Sequence, residues 1–299
     1  MKAYPRVLPS RDYYPDAPHG APASGRAIGE LLARARGLSD GHIEQILAYQ
    51  RQTGLRFGEA AVKLRLADRD DVLHALSEQF SYATGFAGHP ASSELIAAAD
   101  PFSDQADAFR ELRSRLMLEV LREPQRCALT IVSPDVGDGK TYLAANLAVA
   151  FSQLGEPTLL IDADLRTPRQ HQLLGVAPNG GLSGVLAGFS ESDMAVHPVP
   201  GLQHLYLLPA GALPPNPVEL LHRPAFGALL RQMLHRFEHI VVDTAAATRG
   251  ADSRVAAAQC GAALVVARRR HSRMVPLEGL VAALSRGPAT LAGVVINEH

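Results

Sequence analysis

The chain has 299 residues, 47% of them hydrophobic and 20% charged, which allows one large core plus a smaller domain and excludes a disordered polymer. Its 29 Lys and Arg nearly balance 30 Asp and Glu, and the net charge of -1 excludes a long-range pull toward nucleic acid. Cys127 and Cys260 lie in apolar runs without metal-ligand spacing, no eighteen-residue apolar run appears and the N-terminus lacks a signal pattern, so a cytoplasmic chain with reduced thiols is expected.

Residues 1–25 carry five prolines with Gly, Ser and Asp and no apolar period, the composition of a flexible arm. Over 26–81 the pattern turns helical, with Ile28, Leu31, Leu32 and then Ile43, Ile46, Leu47 at spacings of three and four. The segment also repeats: Gly29-Glu30 with Gln50 returns as Gly58-Glu59 with Gln79, and Ile43 and Leu47 return as Val72 and Leu76, each offset by 29 residues. Two helix-turn-helix units are predicted, each too small to bury its apolar face without its twin. From 82 to 103 Gly, Pro, Ser and Ala dominate, which predicts a linker.

A second domain is expected over 104–299. Ser103 or Asp104 can cap a helix reaching about Arg122, with Phe109, Leu112 and Leu116 on one stripe and Asp107, Arg110 and Arg113 on another. Strands are then expected at 128–133, 157–161, 202–208, 239–242, 262–267 and 291–296, with helices at 142–154, 216–236, 251–259 and 276–286. Most of the strands are short unbroken apolar runs, as in a parallel sheet buried on both faces. The predicted fold class is therefore α/β, a doubly wound, mostly parallel sheet preceded by a small all-helical domain, with its ligand at the carboxyl ends of the strands.

The strand at 128–133 runs into Pro134-Asp135-Val136-Gly137-Asp138-Gly139-Lys140-Thr141 and then a helix, the place for a phosphate loop. Gly137 and Gly139 let backbone N–H groups approach phosphate, Lys140 can neutralise its charge, Thr141 can hold Mg²⁺, and the helix adds its positive end. Pro134 stands where such loops usually carry a leading Gly. Leu159-Leu160-Ile161-Asp162-Ala163-Asp164 ends a buried strand with two carboxylates at spacing i and i+2, on one side of an extended chain. They can order a metal's water shell and take a proton from an attacking hydroxyl, or they can cap the following segment. Ile240-Val241-Val242-Asp243 ends a third apolar strand in a carboxylate able to hold Mg²⁺ through water. Three strand-end motifs in this order predict an ATP and Mg²⁺ site.

Ser133-Pro134 with Gly139-Lys140-Thr141, then Asp162-Ala163-Asp164-Leu165-Arg166-Thr167-Pro168, then Asp243-Thr244 resemble the Walker A, A′ and B motifs of bacterial tyrosine kinases, the EpsG-type kinases of exopolysaccharide clusters above all. The resemblance covers 104–299 and implies an ATP-dependent protein-tyrosine kinase that regulates exopolysaccharide chain length, polymerisation and export. It places Gly137, Asp138, Gly139, Lys140, Thr141 and Tyr142 on the nucleotide and Asn297 on the adenine. Thr141, Asp162 and Asp243 would serve Mg²⁺, and Asp162, Asp164 and Lys140 the chemistry. It also implies recruitment to the inner face of the membrane by a chain-length-determinant (Wzz-like) activator. Ring assembly would run through Asp107, Arg110 and Arg113, which match a Glu-x-x-Arg-x-x-Arg helix with Asp for Glu; a solvated charged face would look the same.

Two departures matter. Ala245-Ala246 replace the common Pro-Pro, so the loop after Asp243 is expected to be looser, and Tyr206 is the last tyrosine, so the usual cluster of acceptors is missing. Tyr4, Tyr13 and Tyr14 in the arm, and Tyr82, are the candidate acceptors instead. A non-catalytic ATP-binding regulator of export is one alternative; a ParA/MinD-like positioning ATPase is another, although Asp135 stands where that class has a second lysine. The repeat over 26–81 resembles MshEN-type domains of type II secretion ATPases. Arg56-Phe57-Gly58 with Gln79 fits their cyclic di-GMP repeat, Ala27-Ile28-Gly29 with Gln50 lacks the arginine, and a protein-docking module is the alternative.

Overall fold

The computed structural model describes residues 24–68, 71–72, 75, 92–101, 103–121 and 126–298; Tyr4, Tyr13, Tyr14, Leu76, Gln79 and Tyr82 lie outside them. The chain divides into a unit ending at Phe80 and a unit beginning at Ser81.

In the first unit, helices α1 (Ser24–Arg36), α2 (Asp40–Thr53) and α3 (Phe57–Lys63) bury Leu32, Ile46, Phe57, Ala60 and Ala61 together with Ala75. The 29-residue period shows in the helix punctuation. Ser39 N–H meets His42 Nδ1 at 3.3 Å and His42 N–H meets Ser39 Oγ at 3.4 Å, a reciprocal cap at the start of α2. One period later Asp68 N–H meets Asp71 Oδ2 at 2.7 Å and Asp71 N–H meets Asp68 Oδ1 at 2.9 Å. The paired glycines mark close approaches, since a Cβ on Gly29 would stand 3.3 Å from the Phe57 ring and one on Gly58 2.4 Å from Val72 Cγ1. Arg36 pairs with both Asp68 and Asp71, at 2.7 Å for the latter.

The second unit holds a seven-stranded sheet. Its strands are β1 (Ala128–Val132), β2 (Thr158–Ala163), β3 (His197–Pro198), β4 (Leu205–Leu208), β5 (His239–Thr244), β6 (Gly261–Arg268) and β7 (Thr290–Asn297), in the spatial order β3-β4-β2-β5-β1-β6-β7. Every pairing is parallel except β3 with β4. The helices are α4 (Ile96–Ala99), α5 (Asp104–Glu119), α6 (Lys140–Ser152), α7 (Gln170–Leu173), α8 (Leu182–Ala187), α9 (Ser192–Ala195), α10 (Pro217–His222), α11 (Pro224–Leu234), α12 (Asp252–Cys260) and α13 (Met274–Ser285). Leu129, Ile131, Leu160 and Val241 pack toward α5 and α6, whereas Ala128, Leu159, Ile161 and Val242 pack toward α8, α10, α11 and α12. The doubly wound sheet thus follows from strands apolar on both faces. Chain leaving β1 goes to β2 on one side and chain leaving β5 returns to β6 on the other, so a crevice opens at the carboxyl end of β1.

Three expectations need correction. The linker does not extend over 92–103: α4 folds onto α6, with Ala97 N–H on Asn146 Oδ1 (2.9 Å), Asn146 Nδ2 on Glu94 O (2.8 Å) and Gln153 Nε2 on Ala97 O (2.8 Å). Small alanines read as linker by composition, but Ala97 and Ala98 are buried because they pack closely. The single helix at 216–236 is two, because Pro224 holds Arg223 extended (φ -62°, ψ 146°) between α10 and α11. The strand expected at 202–208 starts at Leu205, and its antiparallel neighbour β3, two residues long, went unpredicted.

Candidate nucleotide and metal site

From β1 the chain turns through Pro134–Asp138 into α6. Gly137 (φ 86°) and Gly139 (φ 98°) are left-handed, a conformation that side chains resist. Gly139 is also the N-cap of α6, so Lys140 and Thr141 open a helix whose first N–H groups have no intrahelical acceptor. Lys140 is buried, and its Nζ donates to Ser133 Oγ at 3.0 Å; that neutral partner leaves donor capacity for an anion.

Asp162 and Asp243 are register neighbours on β2 and β5, and both are fully buried at 0% exposure. Asp162 Oδ1 accepts Asp164 N–H (3.2 Å), and its Oδ2 accepts the N–H groups of Arg169 (3.2 Å) and Gln170 (3.1 Å) at the start of α7. Asp243 Oδ2 accepts from Gln170 Nε2 at 2.8 Å. Two buried oxygens, Asp243 Oδ1 and Gln170 Oε1, have no donor. Burial pushes the Asp243 carboxyl up to about 6 against the opposing pull of Lys140, Gln170 and Thr141. The Asp162 carboxyl is held well above its ordinary value by burial and then by Asp243. Two acids short of positive charge and two oxygens short of donors fit a divalent cation, which Thr141, Asp162 and Asp243 would hold together with phosphate and water.

A pH dependence follows. Folded-state values above the unfolded ones mean that the metal-free protein keeps protons the unfolded chain has released, so its stability falls as pH rises from about 4 to about 6. Asp243→Asn is expected to stabilise the metal-free protein at pH 7.5 by at most about 3 kcal/mol and to remove the Mg²⁺ dependence of nucleotide binding. Thermal melts with and without Mg²⁺ check this; an unchanged midpoint for the metal-free variant would count against it.

Asp164 is 6% exposed and serves the turn that follows it. Its Oδ1 accepts the N–H groups of Arg166 (3.1 Å) and Thr167 (2.9 Å), and its Oδ2 accepts the Thr167 hydroxyl (3.0 Å). Capping, one of the two uses expected of these acids, is therefore visible in both. The loop after Asp243 is not looser for lacking Pro-Pro. Ala245 and Ala246 are buried, the Thr244 hydroxyl bonds Ile131 O at 2.7 Å, and the N–H groups of Ala247 and Thr248 bond Ser133 O (2.9 Å) and Pro134 O (3.0 Å). Small side chains pack flush, and backbone bonds replace the stiffness of the proline ring. Asn297 Nδ2 donates to Asp138 O at 3.2 Å, beside Gly139. A cavity of about 280 Å³ adjoins it, lined by Phe109, Tyr142, Val266 and Val295 among others.

Residues 129–299 match the sequence profile of the CobQ/CobB/MinD/ParA nucleotide binding domain. Tyrosine-protein kinase YwqD of Bacillus subtilis is 30% identical over 204 residues, 68% of this chain and 85% of YwqD. This chain belongs to the bacterial tyrosine-protein kinases. Tyrosine-protein kinase Wzc of Salmonella typhimurium is 32% identical over 206 residues, which is 69% of this chain and 28% of Wzc. The kinase domain of the Escherichia coli tyrosine kinase ETK superimposes with a TM-score of 0.65 at 28% identity, covering 68% of this chain and 79% of that one.

Several residues of this bacterial tyrosine-kinase domain escaped the sequence reading. Gln170 joins Asp243 to the Thr141 carbonyl (3.0 Å), and nothing in a strand-end motif announces it. Arg166 bonds Asp252, a carboxylate 1% exposed at the start of α12, at 3.2–3.3 Å; the trailing Arg of the A′ motif was the available signal. On α5, Asp107 is exposed and pairs with Arg110 at 2.6 Å, but Arg113 turns inward and donates to Ala150 O at 2.6 Å near the end of α6. Among the described residues no helix is long and apolar enough to cross a membrane.

Proposed function

We propose that the chain is an ATP- and Mg²⁺-dependent protein-tyrosine kinase that regulates exopolysaccharide chain length, polymerisation and export. The observation that carries this reading is the meeting of Lys140, Asp162, Asp164 and Asp243 at one sheet edge, on the loops and strand ends that follow β1, β2 and β5. Lys140 and the α6 N–H groups would hold the phosphates, and Asn297 and Tyr142 would flank the adenine in the adjoining cavity. Bound Mg²⁺ would offset charge on the β- and γ-phosphates. Asp164 would orient the tyrosine hydroxyl and take its proton as the new O–P bond forms and ADP leaves.

The kinase reading carries further parts. A Wzz-like membrane activator would recruit the chain, neighbours would pack through Asp107 and Arg110 on α5, and the 26–81 unit would dock a protein or cyclic di-GMP. A non-catalytic regulator is favoured by one observation, that Asp164 already accepts three hydrogen bonds from its own turn. Incubation with labelled ATP separates the two. Phosphotyrosine is expected with Mg²⁺, and more of it with the activator's cytoplasmic tail; ATP binding with no incorporation under either condition would favour the regulator. Deleting residues 1–25, which hold Tyr4, Tyr13 and Tyr14, is expected to remove the label and leave ATP binding intact. Undiminished incorporation eliminates the arm as acceptor.

A further inference from the structure

The loop from Arg268 to Arg273, between β6 and α13, is tied to the phosphate loop at each residue from Asp135 to Asp138. Arg268 Nη1 donates to Gly137 O (3.3 Å), and His271 Nε2 lies 2.9 Å from Val136 O. Ser272 Oγ donates to Asp138 Oδ1 (2.6 Å), and Arg273 Nη2 donates to Asp135 Oδ1 (3.2 Å). Arg270 takes a left-handed φ of 61°, uncommon for a side chain, just before the two residues that reach Val136 and Asp138.

Asp138 is the centre of this contact. Its side chain is fully buried beside a site built for phosphate, where an acid without partners would repel the ligand and bear the cost of its own desolvation. One oxygen accepts Asp135 N–H at 2.7 Å and closes the turn of the phosphate loop. The other accepts the Ser272 hydroxyl and stands 4.0 Å from the His271 ring nitrogen. Ser272 Oγ in turn accepts Arg268 N–H at 2.7 Å, which leaves its own proton to point at Asp138. The phosphate, metal and transfer roles assigned above account for none of these contacts.

We infer that Ser272 is a positioning residue that latches the phosphate loop through Asp138, in the shape that presents Lys140 and the α6 N–H groups to a triphosphate. The inference rests on the nucleotide-binding reading, so its test carries one readout that needs no nucleotide. Ser272→Ala, Ser272→Thr, Asp138→Ala and the double alanine variant are compared with the unaltered protein. Affinity for ATP is read by titration, and amide hydrogen exchange over residues 135–139 is read in the nucleotide-free protein. Ser272→Ala is expected to weaken ATP binding roughly tenfold and to speed exchange roughly tenfold, because a buried charged acceptor loses a donor. Ser272→Thr, which keeps the hydroxyl, should restore both. In the Asp138→Ala background the serine change should add little, since the acid it serves is gone. Unchanged exchange in Ser272→Ala, or effects that simply add in the double variant, would overturn the latch. If the unaltered protein bound no ATP the nucleotide reading would fall, and the exchange rates would still decide the latch.

Discussion

Lys140→Ala is expected to raise the Kd for ATP about a hundredfold and to abolish turnover while the fold persists. Lys140 opens α6, its ammonium donates to Ser133 Oγ, and it lies outside the hydrophobic clusters of the core, so the substitution takes no apolar side chain from them. What goes is a buried cation facing the place where two or three phosphate charges would sit, and charge-assisted contacts of that kind are worth about 2–3 kcal/mol, more in a site sheltered from water. The loss also deprives Asp243 of the cation that holds its carboxyl down, so that group should hold its proton to still higher pH. Titration calorimetry with ATP and Mg²⁺ reads both effects. An affinity unchanged by the substitution would remove the 133–141 segment from phosphate binding.

The second large effect is expected for Asp164→Asn, which should preserve ATP affinity and reduce phosphoryl transfer by roughly a hundredfold to ten-thousandfold, the range for a general base. The structure makes this substitution unusually clean. An asparagine oxygen can still accept the N–H groups of Arg166 and Thr167, and its NH₂ can donate to the Thr167 hydroxyl once that hydroxyl turns round. The turn survives, and only the capacity to take a proton is lost. Full transfer in this variant, measured as label entering tyrosine, would confine Asp164 to holding its turn.

The centre of the sheet was legible because β1, β2 and β5 are buried on both faces, and a run such as Ala128–Val132 or His239–Thr244 admits few other readings. The acids at the ends of those runs were legible for the same reason, since a carboxylate directly after a buried strand needs an explanation. What escaped depends on contacts between distant segments. Gln170 meets Asp243 across 73 positions, Arg166 meets Asp252 across 86, and Ser272 meets Asp138 across 134, and no local pattern encodes such distances. The inward turn of Arg113 is of the same kind, because spacing on α5 marks a stripe without saying which body it faces. The break at Arg223-Pro224 is different. Pro224 was in plain view, and the apolar period through Phe226, Leu229, Leu230 and Met233 concealed a boundary that the proline should have set.

The matching caps in the first unit bear on its ancestry. Ser39 with His42 and Asp68 with Asp71 sit one 29-residue period apart, as do Gly29 and Gly58, so the cap and the tight contact travelled together as a duplicated block would carry them. The copies have since diverged. The earlier copy caps its helix with a serine and a histidine, while the later one uses two acids three positions apart, and like charges so placed disfavour each other. Arg36, at the close of α1 in the earlier copy, is the cation that pairs with both. The two acids of the second copy now share a cation supplied by the first, so exchanging either block alone would part Arg36 from Asp68 and Asp71.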